Sequence, residues 1–445
     1  MNTLMTRLLR GLLVAAGALA LAACGGGSGD EPAKPESKAY VRVVHASADA
    51  PNVDVYANDA RVLSNVPYKA ASGLLAVPTG TLPLKVTVAG TMTEVPSFTN
   101  ALPMLENGKV YTVFAINPLA SIKPLLLVED LSTPEAGKLK VRVAHVAAAT
   151  GNVDVYVSAP GADLATTAPT LANVPYAAVS DVLQIPGGDY RIRITVAGSK
   201  AVAFDSGTVP LAAGSDLVVA AVDQKAGTSP VSLLVLSRDA AAPVAEVKDS
   251  RAAVRAIHAS PDAPAVDVVA SGSVLFPNVS FFAASAYANV PAASYDVALN
   301  LAGTATSALS QNLAVAAGKH YSVFAVGLAA GTPALQYLVA EDDRMAPASG
   351  KAKVRVVHAS PDAPAVDVAA NGSNVLTNVA FPAVSAYLEV PAGAYTFDVK
   401  PAGSASVVKS ATVTLEAGKI YTVVARGLLA GSNAQAFTLS VLNDN

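Results

Sequence analysis

A histidine followed nine residues later by an aspartate recurs four times in this chain of 445 residues. Two copies are identical: His258 to Val268 and His358 to Val368 both read His-Ala-Ser-Pro-Asp-Ala-Pro-Ala-Val-Asp-Val. The first copy, His45 to Val55, keeps most of the pattern, and His145 to Val155 keeps only its two ends. The pairs are therefore His45 with Asp54, His145 with Asp154, His258 with Asp267 and His358 with Asp367. An imidazole and a carboxylate are the raw material of general base catalysis or of a metal site, and Ser47, Ser260 and Ser360 add a hydroxyl.

Neither chemistry is well supplied. One His and one Asp per copy are too few ligands for zinc. Carboxylates and loop carbonyls suit calcium, but no acidic calcium-loop repeat is present. A serine inside a turn has no nucleophile elbow and no evident oxyanion hole, and four copies of one active site would be odd. The run Ser-Pro-Asp-Ala-Pro is turn chemistry: proline fixes φ, while Ser and Asp bond nearby backbone. The eight residues are expected to be structural, with a strand-end His bonding its neighbouring turn or strand. No catalytic, cofactor-binding or metal residue is assigned.

The elements that must position these residues are strands. Tyr190, Ile192, Ile194 and Val196 alternate with Arg191, Arg193 and Thr195, and Tyr395, Phe397 and Val399 alternate with Thr396, Asp398 and Lys400. This period of two marks a half-buried antiparallel strand. The last repeat holds eight strand candidates, 353–358, 365–370, 374–379, 385–390, 394–400, 406–415, 419–426 and 435–442. Such spacing with Gly, Pro and Asn turns indicates a sandwich or small barrel. Leu415-Glu-Ala-Gly-Lys-Ile-Tyr421 recurs around Tyr111 and Tyr321, while Leu217 replaces the tyrosine in the second repeat. The spacing is similar to the tyrosine corner of immunoglobulin-like sandwiches, which makes Tyr111, Tyr321 and Tyr421 corner candidates. Gly108, Gly318 and Gly418 precede lysines but lack the upstream glycine of a phosphate loop. His320 stands in one repeat only and is expected to decorate an exposed strand. Asn65-Val-Pro-Tyr68 and its counterparts ending in Tyr176, Phe281 and Phe381 read as Asn-led turns followed by an aromatic packing residue.

The repeats set the domain plan: 39–133, 138–238 (divergent), 251–344 and 351–445. The steps between histidines are 100, 113 and 100 residues. The longer step comes from an insertion near Ser158–Thr170 and from the linker Asp239–Ser250. Short linkers limit freedom within the pairs one–two and three–four, and more bending is expected between the pairs. Charged residues are 14%, Trp is absent, and Lys and Arg form no cluster, which argues against a nucleic-acid partner. The single cysteine, Cys24, excludes an intramolecular disulfide.

Residues 1–23 have the form of an export signal, with Arg7 and Arg10 before the apolar stretch Gly11 to Leu21. The end of that stretch, Leu21-Ala-Ala-Cys24, resembles the bacterial lipoprotein box. The resemblance implies acyl chains on Cys24, membrane lipid as a partner, and residues 24–38 as a lipidated cysteine with a flexible Gly/Ser/Pro tether. Gly25 and Gly26 stand where an inner-membrane retention aspartate would be, so the outer membrane is the expected location, on either face. The segment 354–368 resembles the signature of a bacterial family of tandem domains of unknown function, common on lipoproteins. That resemblance implies an all-β module and an exported role, and brings no established activity. The expected fold is all-β: four tandem immunoglobulin-like antiparallel β-sandwich modules after a lipoprotein signal and tether. The expected role is non-enzymatic: binding, adhesion or spacing, toward an unknown envelope or extracellular protein or glycan. A carbohydrate-binding array is the alternative, weakened by the absence of Trp, and a hydrolase ranks last.

Overall fold

A computed structural model describes residues 37–95, 98, 102–225 and 227–445. The expected signal, Cys24 and nearly all of the tether lie outside the described residues. From Lys38 onward the chain is all-β, with four tandem sandwich modules and no α-helix among the described residues.

Module four shows the plan. One sheet holds Leu388–Pro391, Lys351–His358, Ile420–Arg426 and Thr438–Asn443 side by side, with Ala383–Val384 also on the first of these edges. The facing sheet holds Ser373–Val379, Val366–Ala370, Gly393–Pro401 and Lys409–Leu415. The first sheet carries the signature His at the end of Lys351–His358, and the second carries the signature Asp in Val366–Ala370. Modules two and three repeat both sheets, and module two adds a fifth strand, Val244–Val247, to the first. In module one the second sheet has three described strands, Ala60–Val66, Val53–Ala57 and Leu84–Val88.

The sheets are antiparallel except at one place in each module. Lys351–His358 runs parallel to Ile420–Arg426, with Val354 opposite Tyr421 and His358 opposite Ala425. The same parallel pair joins the first strand to its partner in the other three modules. A parallel pair needs a long crossover, and here the whole second sheet serves as that crossover.

The first strand is buried on both faces. Val354 and Val356 point into the sandwich with Phe397, Leu415 and Val423. Val357 and Ala359 point the other way, into a second core shared with Ile257, Ala259, Phe324 and Val326 of module three. Modules one and two share the equivalent core: Val44, Phe114 and Ile116 pack against Ala144, Val218 and Leu234. Burial on both faces explains why this strand reads Val-Arg-Val-Val-His instead of alternating apolar with polar. The modules thus pack in pairs through the outer faces of their first sheets.

The linker between the pairs is not a free tether. Val244–Val247 completes a sheet of module two by pairing with Val231–Leu236. Asp249, buried, accepts from the Asp205 amide at 3.1 Å and pairs with Arg251 at 2.7 Å. The Arg251 guanidinium in turn donates to the carbonyls of Val202 and Ala203. The bending expected here from linker length meets a sheet strand and a buried ion pair.

Candidate functional site

The four signature histidines end the first strands and are almost fully buried, at 0–1% exposure. Each bends back onto its own loop. Nε2 lies 3.0 Å from the Pro51 carbonyl in module one and 3.0 Å from the Gly151 carbonyl in module two. The distances are 2.9 Å to Pro264 and 3.2 Å to Pro364 in modules three and four. A carbonyl only accepts, so Nε2 carries the hydrogen and donates it. Nδ1 of His258 and His358 accepts from the amides of Ser260 and Ser360 at 3.3 and 3.4 Å. In every module an aromatic ring meets the imidazole edge-on with centroids 6.1 Å apart: Tyr68, Tyr176, Phe281 and Phe381. These are the aromatic residues of the Asn-led turns. Burial disfavours the imidazolium and holds His45, His258 and His358 below the usual imidazole pKa.

The signature aspartates do something else. Asp54 sits in the middle strand of its sheet and accepts from the Asn65 amide at 2.7 Å and the Gly90 amide at 3.2 Å. Asp154 accepts from Asn173 and Gly198 at 2.7 and 2.9 Å. Asp267 accepts from Asn278 and Gly303, and Asp367 from Asn378 and Gly403, at 2.7–3.0 Å. All eight donors are in the left-handed region, with φ of 51–53° at the asparagines and 72–76° at the glycines. Each carboxylate therefore clamps a bulge in one neighbouring strand and a turn beyond the other. That is why Asn and Gly, the residues that tolerate positive φ, occupy these places. The amide bonds favour the carboxylate form and lower the pKa of Asp54, Asp267 and Asp367. The His and the Asp of a signature are thus not a pair: one fixes a loop of the first sheet, the other two turns of the second.

The clamp was open to a sequence reading. The Asp-to-Asn step is 11 residues and the Asp-to-Gly step 36 in modules one, three and four. In module two both steps grow by eight, to 19 and 44, so the insertion lies before the asparagine.

The earlier aspartate of the signature caps a different loop. Asp262 accepts from the amides of Ala329 and Ala330 at 2.8 and 3.0 Å, and Asp362 from Leu429 and Ala430. Asp49 accepts from Leu119 at 2.8 Å. Ser47 and Ser360 donate to the carbonyls of Asn117 and Gly427, each at 2.6 Å, so these two candidate hydroxyls hold the same two loops together. The Ser260 hydroxyl lies 3.2 Å from Asp262.

The tyrosines of the Leu-x-x-Gly-x-x-Tyr pattern accept from backbone five residues upstream. Tyr111 accepts from Glu106 at 3.0 Å, Tyr321 from Ala316 at 3.2 Å and Tyr421 from Glu416 at 3.1 Å. Leu217 offers no hydroxyl in module two. A second tyrosine set, not singled out from sequence, donates to a proline carbonyl four residues upstream: Tyr190 to Pro186, Tyr295 to Pro291 and Tyr395 to Pro391. His320 departs from expectation. It is 6% exposed and packs against Tyr287 with centroids 5.5 Å apart. Burial, with Arg344 nearby, lowers its pKa to about 4. Tyr287 of its own module and Arg344, just beyond that module's last strand, pack around it.

The model of a family described as "Domain of unknown function (DUF4397)" matches residues 39–156, 158–248, 252–369 and 352–445. The chain belongs to that family. The first and third matches of the DUF4397 model run past one module into the first two strands of the next. No curated protein matches the chain. Among solved structures it is similar to the Bacillus anthracis TIE protein, at 11% identity and TM-score 0.16, over 90% of this chain and 75% of that one. It is also similar to the family CBM26 module CBMbc of Eubacterium rectale Amy13K, solved with maltoheptaose. That match has 11% identity and TM-score 0.14, over 41% of this chain and 91% of that one.

Proposed function

We propose that this DUF4397 chain is a lipid-anchored protein of the bacterial cell envelope whose four β-sandwich modules have a non-enzymatic binding, adhesion or spacer role. The observation that supports a non-enzymatic role is the use of the repeated signature. In four copies the imidazole Nε2–H is given to a loop carbonyl and the carboxylate receives two turn amides. A general base must present a free lone pair to substrate; Nδ1 accepts a loop amide in His258 and His358, and in His45 and His145 it is enclosed away from solvent. The anchor rests on Leu21-Ala-Ala-Cys24, and Gly25 and Gly26 favour the outer membrane over the inner. A tether followed by paired modules would hold a rigid binding surface away from the lipid. Repetition would multiply weak contacts into avidity.

The test is expression of the full chain and of Cys24→Ala in a bacterium, with labelled fatty acid and membrane fractionation. The wild type should take up label and sediment with outer membrane. The variant should take up none and appear in the soluble fraction. A variant that still sediments and carries label would sink the anchored reading.

A further inference from the structure

The four modules share a backbone plan but differ in what fills it. The space between the sheets of module two is about 40 Å³. In module three it is about 260 Å³, bordered by Val254, Ala256, Val268, Val297, Val315 and Val339 among others. Module four places bulkier side chains at the centre of the same space. Its Val356, Phe397 and Leu415 are buried together in its own inter-sheet core. Module three places Ala256, Val297 and Val315 at the matching positions, a loss of seven side-chain carbons at the floor and one end. Larger side chains have moved outward instead. Leu275, Phe276 and Leu313 take the places of Val375, Leu376 and Val413, and all three are half-buried. Small residues at the centre with large ones around them make a pocket.

A second, independent feature opens it. In module two the edge strand Val202–Leu211 closes onto Val231–Leu236, and in module four Lys409–Leu415 closes onto Thr438–Asn443. In module three the corresponding edges, Ser307–Val315 and Gln336–Asp342, approach each other less closely. Val339, at this edge, is 42% exposed although it borders the cavity.

We infer that module three holds a binding site for a neutral apolar molecule, a ring system or the end of an aliphatic chain, entering between Ser307–Val315 and Gln336–Asp342. The lining supplies no free charge. Tyr295 spends its hydroxyl on the Pro291 carbonyl at 2.8 Å. Arg255 and Asn312 border the space, but their side chains bond Ser322 and Asp444, and Asp296, respectively. A charged group carried inside would find no partner, whereas an apolar one would shed water against valines and leucines. A dry apolar cavity of about 150 Å³ takes up benzene, and this one is larger.

The test uses the full chain and 1-N-phenylnaphthylamine, whose fluorescence rises on leaving water, with n-decanol and decanoate as competitors. Wild type should bind one equivalent, and decanol should displace it where decanoate does not. Val297→Phe with Val315→Leu installs module four's residues and should weaken probe binding by at least about tenfold, for the methylene surface no longer available. Its melting temperature should not fall. Ala256→Val alone, another module-four residue, should act in the same direction and guards against a misfolded double variant. Absence of probe binding to wild type, equal binding to a folded plugged variant, or displacement by decanoate as effective as by decanol would each overturn the site.

Discussion

Arg355 of module four and Asp342 of module three form an ion pair from which solvent is excluded, with side chains 1% and 0% exposed. Arg255 of module three and Asp444 of module four repeat it in the opposite direction across the same interface. Each carboxylate also accepts from a tyrosine of its own module, Tyr287 to Asp342 at 2.5 Å and Tyr387 to Asp444 at 2.8 Å. Each also accepts a hydroxyl, from Ser322 or Thr422. The guanidiniums lie over those rings, Arg255 over Tyr287 and Arg355 over Tyr387, at 4.8 and 4.6 Å. Removing one charge strands the other in a dry site. Arg355→Met in the full chain should cost the three–four pair about 3–5 kcal/mol, and adding Asp342→Asn should return part of it. Denaturant melts of the three chains check this. A loss under about 1 kcal/mol in the single variant would mean the pair is solvated.

Module two has moved a carboxylate from one loop to its neighbour. Where modules three and four have Asp262 and Asp362, module two has Ala149, and where they have Gly327 and Gly427 it has Asp223. Asp223 accepts from the amides of Ala148 and Ala149 at 3.1 and 3.0 Å, so the bond direction between the loops is reversed. Asp223→Gly should therefore destabilise the one–two pair by about 0.5–1.5 kcal/mol, through the loss of two loop hydrogen bonds. Adding Ala149→Asp should recover much of that by restoring the arrangement of the other modules. Thermal melts of both variants decide it: no recovery in the double variant would show that the two loops are not interchangeable.

The strands and the two-sheet modules were legible because solvent faces one side of most strands and leaves a period of two. Val354-Arg-Val-Val-His358 broke that period, since module pairing covers its outer face, and no local pattern says what covers a strand from outside. His320 read as exposed because its covering ring, Tyr287, stands 33 residues away in the chain, out of reach of a local pattern. The His–Asp spacing was legible as a repeat and misleading as a pair, because nine residues carry the chain from one sheet to the other. Asn378 and Gly403, the true partners of Asp367, sit 11 and 36 residues away and reveal themselves only when the repeats are aligned. The reciprocal Arg–Asp pairs were not legible at all, since Arg355 and Asp342 belong to different modules.

Tyr421 is 8% exposed and its hydroxyl is the partner of the Glu416 amide at 3.1 Å. Tyr421→Phe keeps the ring in the core beside Leu415 and removes only that acceptor. The three–four pair should lose about 1–2 kcal/mol, in the range of a hydrogen bond whose donor is left partly buried. Leu217→Tyr should not stabilise module two comparably, because its turn reads Ala-Gly-Ser-Asp before the residue and lacks Gly-Lys. Melting temperatures measured on the full chain are the readout. A Tyr421→Phe chain that melts with the wild type would remove the corner as a stabilising element.

The buried histidines give acid sensitivity a sign. His45, His258 and His358 are held below their ordinary pKa by burial, and His320 lies at about 4. In the unfolded chain each titrates near about 6.5. Above that value neither state binds the proton, and the neutral imidazole's contribution is fully present. As pH falls below it, the unfolded chain takes up protons that the fold refuses, and stability drops by up to about 1.4 kcal/mol per pH unit for each such His. For His320 the decline runs from about 6.5 down to about 4. Protonation of His358 would also turn Nδ1 into a donor facing the Ser360 amide, which is itself a donor. Stability should thus be flat with respect to these groups between pH 7 and 8 and fall from pH 6.5 to 5. His358→Ala should lose about 1–3 kcal/mol at pH 7.5 and show a shallower decline on acidification, because one proton uptake is gone. Chelator, zinc and calcium should leave both chains unchanged, since the imidazole already spends Nε2–H on the Pro364 carbonyl. Melting that rises on acidification, or a metal-dependent gain of several degrees abolished by His358→Ala, would overturn the structural role assigned to the signature histidine.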